Sequence, residues 1–126
     1  MPKTVPNQPG LEAGPYPFSK VVEANGFVFL AGQVGEAPGG HRAVPGGIGP
    51  QTRAMLDNVG RLLAAVGLGY GDVVKCTVYL RDFEDFAEMN AVYREYFATE
   101  PPARATVGVT ALAADFRVEI EVQAAR

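Results

Sequence analysis

Short runs of β-branched and aromatic residues along the chain predict five β-strands. The clearest signal is Asn25-Gly26 between the runs 18–24 and 27–32, because both residues of a tight hairpin turn need positive φ. Alternate residues of such strands lie on opposite faces of a sheet. The predicted strands span residues 18–24, 27–34, 73–80, 103–109 and 117–124.

Apolar residues at helical spacing predict two helices. Pro50 suits the first position of the first helix, where its missing N–H has no intrahelical partner, and Gly67 suits the position just past its end. The apolar positions of this helix are Met55, Val59, Leu62, Leu63 and Val66. Asp82 can cap the second helix, and Pro101-Pro102 ends it. Its apolar positions are Phe86, Met89, Tyr93 and Phe97.

The order β-β-α-β-α-β-β predicts an α+β fold, with the two helices on one face of a sheet. Two strands are apolar on both faces: Val28, Leu30 and Val34 oppose Phe27, Phe29 and Ala31, and Val74, Cys76, Val78 and Leu80 oppose Val73, Thr77 and Tyr79. Since two helices cover only one face, another copy of the chain is expected to cover the other. This pattern predicts an oligomer without setting the number of copies.

Two segments rich in proline and glycine are predicted to lack regular structure. Residues 1–17 carry five prolines and two glycines and are expected to form an extended arm of a single domain, 1–126. Residues 35–49 carry six glycines and two prolines and are predicted to form a loop. The loop has neither a GxGxxG pattern nor the Lys-Ser/Thr pair of phosphate-binding loops, which disfavours a phosphate site.

Composition narrows the classes of function. The chain has 126 residues, 48% of them hydrophobic, which suits one domain with a real core. Eleven Lys and Arg stand against 14 Asp and Glu, for a net charge of −3, which disfavours a nucleic-acid partner. No apolar run approaches the roughly 18 residues that span a bilayer, and the start of the chain lacks the apolar core of a secretion signal. A soluble, cytoplasmic protein without a membrane partner is therefore expected.

The single cysteine and single histidine limit the available chemistry. Cys76 alone cannot form a disulfide within the chain, and a zinc site needs more Cys and His than the chain offers, so no metal is expected. Cys76 lies in an apolar strand and is interpreted as a core residue rather than a nucleophile. His41 lies in the 35–49 loop and is interpreted as solvated, although His is also a candidate acid or base.

Polar residues on the last two predicted strands form a candidate site. One face of these strands is apolar and carries Ala103, Ala105, Val107 and Val109 on one strand and Val118, Ile120 and Val122 on the other. If these faces pack on the helices, Arg104 and Glu119 emerge together on the opposite face. The two residues can form a structural ion pair or stay solvated. Alternatively, Arg104 can bind a small carboxylate through its rigid fork of donors while Glu119 moves a proton or orients a water.

Asn90 is a polar residue on the apolar face of the second predicted helix, between Phe86 and Tyr93. A buried amide needs hydrogen-bond partners. Asn90 is therefore expected either to hold backbone groups in place or to belong to a site.

Several motifs together resemble the RidA (YjgF/YER057c/UK114) family. The run Pro102-Ala103-Arg104-Ala105-Thr106-Val107, with Val118-Glu119-Ile120 after it, is similar to the family's C-terminal signature; only Thr110 departs, where a small or basic residue is usual. The hairpin region 17–33 is similar to the N-terminal block. Blocks 56–59, 71–75 and 85–90 match between them, so the resemblance covers about residues 14–126.

The resemblance implies a fold, an assembly and an activity. The fold would be chorismate-mutase-like, with a mixed sheet and two helices on one face, and three copies would form a homotrimer whose sheets build a central barrel with clefts between subunits. The activity would be hydrolysis of imines and enamines such as 2-aminoacrylate, released by pyridoxal-phosphate enzymes, to 2-keto acids and ammonia. No cofactor would be needed.

The same resemblance implies roles for individual residues. Arg104 would bind the substrate carboxylate, Glu119 would position the attacking water or relay a proton, and backbone groups near Ala105-Thr106 would contact the substrate nitrogen. The other candidate substrate-binding residues are Phe18, Ala31, Gly32, Asn90 and Tyr16, with Gln33 completing the Gly-Gln pair after the second strand.

Two candidate positions depart from the family's usual residues. Phe18 stands where Tyr is usual and Ala31 where Ser is usual, and each lost hydrogen bond corresponds to about 0.5–1.5 kcal/mol, or up to about tenfold in rate. Tyr16 is a candidate replacement for the first hydroxyl, and Thr106 replaces a common Cys that is not a nucleophile. The 35–49 loop is also expected to reshape the mouth of the cleft.

Two other functions stay open. A non-catalytic protein that binds or senses 2-keto acids is the main alternative, because the hydroxyls at Phe18 and Ala31 are missing. An endoribonuclease is less favoured, since the chain is acidic and has no basic-aromatic stripe.

Overall fold

The computed structural model describes residues 2–126, and it contains the seven elements in the predicted order. The strands are β1 (Val21–Ala24), β2 (Phe27–Val34), β3 (Val73–Leu80), β4 (Ala103–Gly108) and β5 (Val118–Ala125). The helices are α1 (Ile48–Ala65) and α2 (Phe86–Tyr96), and short 3-10 turns at Tyr70–Asp72 and Phe83–Asp85 precede β3 and α2. The predicted α+β class is confirmed.

The five strands form one mixed sheet in the order β1-β2-β5-β3-β4. Every pairing is antiparallel except that of β3 with β4, which is parallel. The β1–β2 turn has Asn25 at φ 52° and Gly26 at φ 80°, which confirms the predicted hairpin, since both residues adopt left-handed backbone. β4 lies at one edge of the sheet, so half of its backbone groups have no strand beside them.

The core lies between the helices and one face of the sheet. Fully buried side chains come from both helices and the three central strands; they include Met55, Leu56, Val59, Leu63, Met89, Val28, Cys76, Val78, Leu80, Val118, Ile120 and Val122. On the opposite face, Phe27, Phe29 and Val107 are 46%, 40% and 42% exposed. The prediction that the helices leave one apolar sheet face uncovered is therefore confirmed.

Two irregularities in strand pairing change which side chains share a face. The register of β2 against β5 shifts between Leu30 and Gln33, so that Val34 pairs with Glu119. A second shift lies between Val73 and Lys75, where Val73 is buried and Val74 exposed. The expected grouping of Val34 with Val28, and of Val74 with Cys76, is wrong, because an extra residue in one strand inverts the faces beyond it.

The ends of the helices follow local sequence signals with small shifts. α1 begins at Ile48, two residues before the predicted start, and Pro50 fits there because N–H groups of the first turn have no intrahelical partner. Gly67, at φ 77°, confirms the predicted C-terminus: its N–H donates to Ala64 at 3.0 Å, and Leu68 N–H donates to Leu63 at 2.9 Å. The Asp82 carboxylate accepts from Glu84 N–H at 3.0 Å. It thus caps the 3-10 turn before α2 rather than α2 itself.

An ion pair that the sequence pattern did not reveal fixes α2 against the sheet. Arg117 Nε and Nη2 each donate to a carboxylate oxygen of buried Asp85 at 2.9 Å. The Gln51 side-chain oxygen accepts from Arg117 N–H, also at 2.9 Å. These bonds join the start of β5 to both helices, which sets the position of α2 relative to the strands that carry Arg104 and Glu119.

The proline- and glycine-rich segments are attached to the fold at a few points. In the predicted arm, whose Met1 lies outside the described residues, Thr4 exchanges two 2.8 Å backbone hydrogen bonds with Glu23, and the Leu11 side chain is buried. In the 35–49 segment, Glu36 and Ala43 form an isolated antiparallel bridge. None of the helices between residues 2 and 126 is both long and apolar enough to cross a membrane.

Candidate functional site

Arg104 lies on the helix side of β4, at the edge of the sheet. It pairs with buried Cys76 in the parallel ladder, and paired residues of neighbouring strands share a face. The guanidinium carbon lies 4.6 Å from the centre of the Tyr93 ring and 5.8 Å from that of Phe86. Arg104 forms no ion pair with any residue in 2–126. A half-buried cation without an anionic partner can therefore receive an anion from outside the chain.

Glu119 lies on the opposite face of the sheet. It pairs with Tyr79 on β3 and with Val34 on β2, and its chain neighbours Val118 and Ile120 are buried under the helices. The expectation that Arg104 and Glu119 emerge on one face is wrong. The face of β5 that packs on the helices was predicted correctly. The face of β4 was predicted the wrong way round, because Ala103, Ala105 and Val107 are exposed rather than packed on the helices.

The Glu119 carboxylate is half-buried and pairs with no cation in the part of the chain that the structure describes. Burial raises its pKa above the ordinary 4.5, and the nearby negative charge of Glu121 raises it further. A carboxyl with a raised pKa exchanges protons more readily near neutral pH. Glu119 thus has the properties of an acid/base group, independently of any partner.

Gly32 provides the space that this carboxylate occupies. A Cβ atom built on Gly32 would overlap Glu119 Oε2, so a side chain at position 32 would displace the carboxylate. Gly32 and Ala31 both lie in the irregular part of β2, and Gln33 stabilises this bulge by donating to the Ala31 and Gly32 carbonyls at 3.1 Å. Of the candidate residues, Gly32 is therefore the one that the structure places in contact range of Glu119.

Phe18 and Gly32 both line a cavity of about 470 Å³. The Tyr16 ring stacks on the Phe18 ring, with the ring centres 6.5 Å apart. The wall includes Glu36, whose pKa is raised by burial and lowered in part by the charge of His41. The structure thus places the Tyr16 ring next to that of Phe18, and Tyr16 is 69% exposed.

Asn90 lies half-buried on α2, one turn before Tyr93. The side-chain oxygens of both residues are buried and have no partner of ordinary hydrogen-bond geometry among residues 2–126, although the Cys76 thiol and the Arg104 guanidinium lie near the Tyr93 hydroxyl. Such orphaned polar atoms are uncommon and mark strain or a missing ligand. Because Tyr93 contacts Arg104 directly, the orphaned oxygens lie on the helix that borders the guanidinium. Tyr93 was interpreted from sequence only as a core residue, and its aromatic type gave no signal of this contact.

Ala105 and Thr106 follow Arg104 on the edge strand. Ala105 pairs with Thr77 and points to the open face, whereas Thr106 pairs with Val78 and points towards the helices. Since β4 has a strand on one side only, its backbone includes unpaired donors and acceptors along the outer edge. These groups are accessible to a ligand bound beside Arg104.

Cys76 and His41 do not join the candidate residues. Cys76 is fully buried, and burial raises the pKa of its thiol, which confirms its interpretation as a core residue because a reactive cysteine needs an exposed thiolate. His41 is exposed in its loop. Within residues 2–126, no group of three or more His, Cys, Asp or Glu side chains is placed to hold a metal ion.

Comparison with known proteins places the chain among proteins with matching sequence and fold. The Endoribonuclease L-PSP family matches residues 12–126. A RutC family protein of Pyrococcus horikoshii is 46% identical over 105 residues, 83% of each chain. The protein named 2-iminobutanoate/2-iminopropanoate deaminase in Bos taurus is 41% identical over 105 residues, 83% of this chain and 77% of that one.

Solved structures agree with these sequence relatives. Escherichia coli TdcF with bound serine has a TM-score of 0.84 and 33% sequence identity, over 92% of this chain and 97% of that one. The shared fold is a mixed five-stranded sheet with two helices. The chain belongs to the Endoribonuclease L-PSP family, which is the RidA family that its motifs resemble.

Proposed function

We propose that this protein hydrolyses reactive imines and enamines of the 2-aminoacrylate class to 2-keto acids and ammonia. The observation that carries the proposal is the Arg104 guanidinium, which is half-buried on an edge strand and has no anionic partner within residues 2–126. A carboxylate-bearing substrate supplies that partner. Deaminase names among the relatives at 38–41% identity support the same class of reaction.

We infer that the site is shared between copies of the chain. Arg104 and Glu119 lie on opposite faces of one sheet, so a single chain cannot direct both at one small substrate. A second copy packed on the open face would bring its own residues to the edge of the first. The exposed Phe27, Phe29 and Val107 on that face provide the apolar surface for such packing. A homotrimer, with Arg104 of one subunit and Glu119 of the next in each cleft, satisfies this requirement.

The proposed hydrolysis uses two side chains, Arg104 and Glu119, and backbone groups of β4. Arg104 binds the carboxylate through paired N–H donors, and outward backbone groups near Ala105 and Thr106 contact the imine nitrogen. Water adds to the carbon of the C=N bond while Glu119 accepts a proton from the water. That proton passes to nitrogen and gives a carbinolamine; its hydroxyl proton then moves to the amino group, the C–N bond breaks, and ammonia leaves a 2-keto acid. An enamine such as 2-aminoacrylate enters this scheme after it gains a proton at C3 and loses one from nitrogen, which makes it the imine. The net reaction is a hydrolysis that consumes water and needs no oxidant or reductant.

The missing hydroxyls at Phe18 and Ala31 favour the non-catalytic alternative, a protein that binds 2-keto acids. If those hydroxyls are needed to hold water or substrate, the same clefts would bind 2-keto acids without turnover. Tyr16 is a candidate to replace the first of these hydroxyls, because its ring stacks on that of Phe18. Since the serine bound to the TdcF structure also carries a carboxylate, it is compatible with either function.

A direct assay separates these functions. 2-Aminoacrylate is generated in solution by a pyridoxal-phosphate lyase, and pyruvate formation is followed with and without the protein. We expect faster pyruvate formation, its loss in Arg104→Ala, and no change in Arg53→Ala, which removes an exposed surface ion pair. Binding of 2-oxobutanoate by calorimetry without acceleration for several imino acids would support the non-catalytic alternative. Cleavage of RNA that is lost in Arg104→Ala would support an endoribonuclease.

A complementation experiment tests the shared site. Arg104→Ala and Glu119→Gln subunits are co-expressed with different tags and purified as mixed oligomers. Each variant by itself is expected to be inactive. If each cleft takes one residue from each of two subunits, about one quarter of the clefts in a random mixture regain both groups. Recovery of activity is expected only in the mixture. A mixture as inactive as its parents would exclude a shared site.

A further inference from the structure

We propose that Tyr93 is a positioning residue that holds the Arg104 guanidinium ready for a substrate carboxylate. This inference rests on the proposed role of Arg104 and extends the site to helix α2. It concerns the aromatic ring of Tyr93, not its hydroxyl group.

The geometry places the ring of Tyr93 directly under the cation. The guanidinium carbon lies 4.6 Å from the ring centre, within the range of a cation–π contact. The Phe86 ring is farther away, at 5.8 Å. Tyr93 is 6% exposed, and its ring packs against that of Phe97 with centres 4.7 Å apart. The platform under Arg104 is therefore itself fixed by the core.

Arg104 needs such a platform because nothing else in the described chain orients it. It forms no ion pair within residues 2–126, and the polar group that lies against it is the hydroxyl of Tyr93 itself. A free arginine side chain samples many rotamers and loses that freedom on binding an anion. An aromatic face restricts the guanidinium before binding and leaves the N–H donors, which lie in the guanidinium plane, available for a carboxylate.

The Tyr93 hydroxyl is separable from this role. Its oxygen is buried and has no partner of ordinary hydrogen-bond geometry within residues 2–126; its polar neighbours are the Cys76 thiol and the Arg104 guanidinium. Removing an unsatisfied buried polar group leaves stability unchanged or increases it. Tyr93→Phe therefore keeps the platform and removes only the orphaned oxygen, which makes it the conservative variant for testing the ring.

The experiment compares Tyr93→Leu, Tyr93→Phe and Phe97→Leu in the full-length protein. The readouts are KM and kcat for 2-aminoacrylate hydrolysis, Kd for 2-oxobutanoate by calorimetry, and Tm. Phe97→Leu is the matched control, because it removes a neighbouring buried ring that makes no contact with Arg104. Tyr93→Met is a second variant that fills the core without an aromatic face, in case Tyr93→Leu does not fold.

We expect Tyr93→Leu and Tyr93→Met to raise KM and the 2-oxobutanoate Kd by about 3- to 30-fold, as loss of a partly desolvated cation–π contact predicts. The change in kcat should be smaller than that in KM. Tyr93→Phe should restore both KM and Kd to within about twofold of the wild type, and Phe97→Leu should lower Tm without raising Kd.

Two results would overturn the inference: unchanged KM and Kd in Tyr93→Leu and Tyr93→Met, or an equal rise in Phe97→Leu. The first would show that Arg104 needs no platform, and the second that Tyr93 acts only through the core. Failure of the proposed function is distinguishable, because the wild type would then not accelerate hydrolysis, whereas the 2-oxobutanoate Kd values of the Tyr93 variants would still test the positioning role.

Discussion

Arg104 and Glu119 project from opposite faces of the same β-sheet, Arg104 onto the ring of Tyr93 and Glu119 into the space left by Gly32. Neither charge is neutralised by an ion pair within residues 2–126. A single sheet therefore does not bring the two side chains to one small substrate, which is the basis of the proposed site between subunits.

The first prediction concerns Gly32. In Gly32→Ala, the new Cβ overlaps Glu119 Oε2, so the carboxylate must move from its position. We expect kcat/KM for imine hydrolysis to fall by about 10- to 100-fold, because a misplaced catalytic group loses rate steeply. Gly71→Ala is the control, since a Cβ there meets open space and the backbone needs no positive φ. Equal activity of the two variants would show that Glu119 does not need this position.

The second prediction concerns the Glu119 carboxyl, whose replacement should remove activity and raise the stability of the folded protein. Burial raises the pKa of this carboxyl in the folded state, so the folded protein binds the proton more tightly than the unfolded chain does. The charged form therefore lowers the free energy of unfolding at pH above the raised pKa, and this penalty disappears as the pH falls below the unfolded value of about 4.5.

Glu119→Gln should accordingly abolish hydrolysis while raising Tm at pH 8. The gain in Tm relative to the wild type should shrink as the pH is lowered to 4, where the wild-type carboxyl is itself protonated. Thermal unfolding at several pH values measures this difference. A variant less stable than the wild type at pH 8 would show that the carboxylate makes a stabilising contact.

The third prediction concerns the pH dependence of activity. The negative charge of Glu121 contributes to the raised pKa of Glu119, and Tyr79 Oη donates a 2.5 Å hydrogen bond to Glu121. In Glu121→Gln the pKa of Glu119 falls, so the acidic limb of the kcat/KM profile should move to lower pH. Glu95→Gln, a surface carboxylate on α2, should leave the profile unchanged. A limb that stays in place in Glu121→Gln would assign it to another group.

The fourth prediction tests the open face of the sheet. Phe29 is 40% exposed there, and Phe29→Asp places a charge in the surface proposed to contact a second copy. We expect the variant to be monomeric by light scattering and to lose activity, while its circular dichroism stays that of a folded chain. Val5→Asp, at an apolar residue of the N-terminal segment that is 50% exposed, should remain oligomeric. An active monomer of Phe29→Asp would contradict the shared site.

The fifth prediction concerns the ion pair that fixes α2. Arg117→Ala leaves the buried carboxylate of Asp85 without its two donors. Because Arg117 is partly exposed, we expect a loss of about 1–3 kcal/mol in the free energy of unfolding, less than for a fully buried pair. Arg53→Ala, which breaks an exposed pair with Glu95, should change the free energy of unfolding much less, because solvent screens an exposed pair. Urea denaturation distinguishes the two.

Local sequence signals determined the elements of the fold. Asn25-Gly26 specified the first hairpin, Gly67 specified the end of α1, and alternation specified the buried face of β5. Each of these features depends on backbone preferences or side-chain periods within a few residues, so it is readable without knowledge of distant contacts. The family motifs around Arg104 and Glu119 were visible for the same reason.

Tertiary structure decided on which face each of these two residues lies. Alternation along β4 shows two sets of residues but not which set meets the helices, and small apolar residues suit an open face that another copy can cover. Because Arg104 pairs with buried Cys76 in the parallel ladder, Arg104 lies on the helix side of β4. Pairing between strands distant in sequence, and the bulge that places Gly32 by Glu119, depend on how the whole sheet packs. The sequence by itself therefore identified the two charged residues, whereas only the assembled sheet showed that one chain holds them apart.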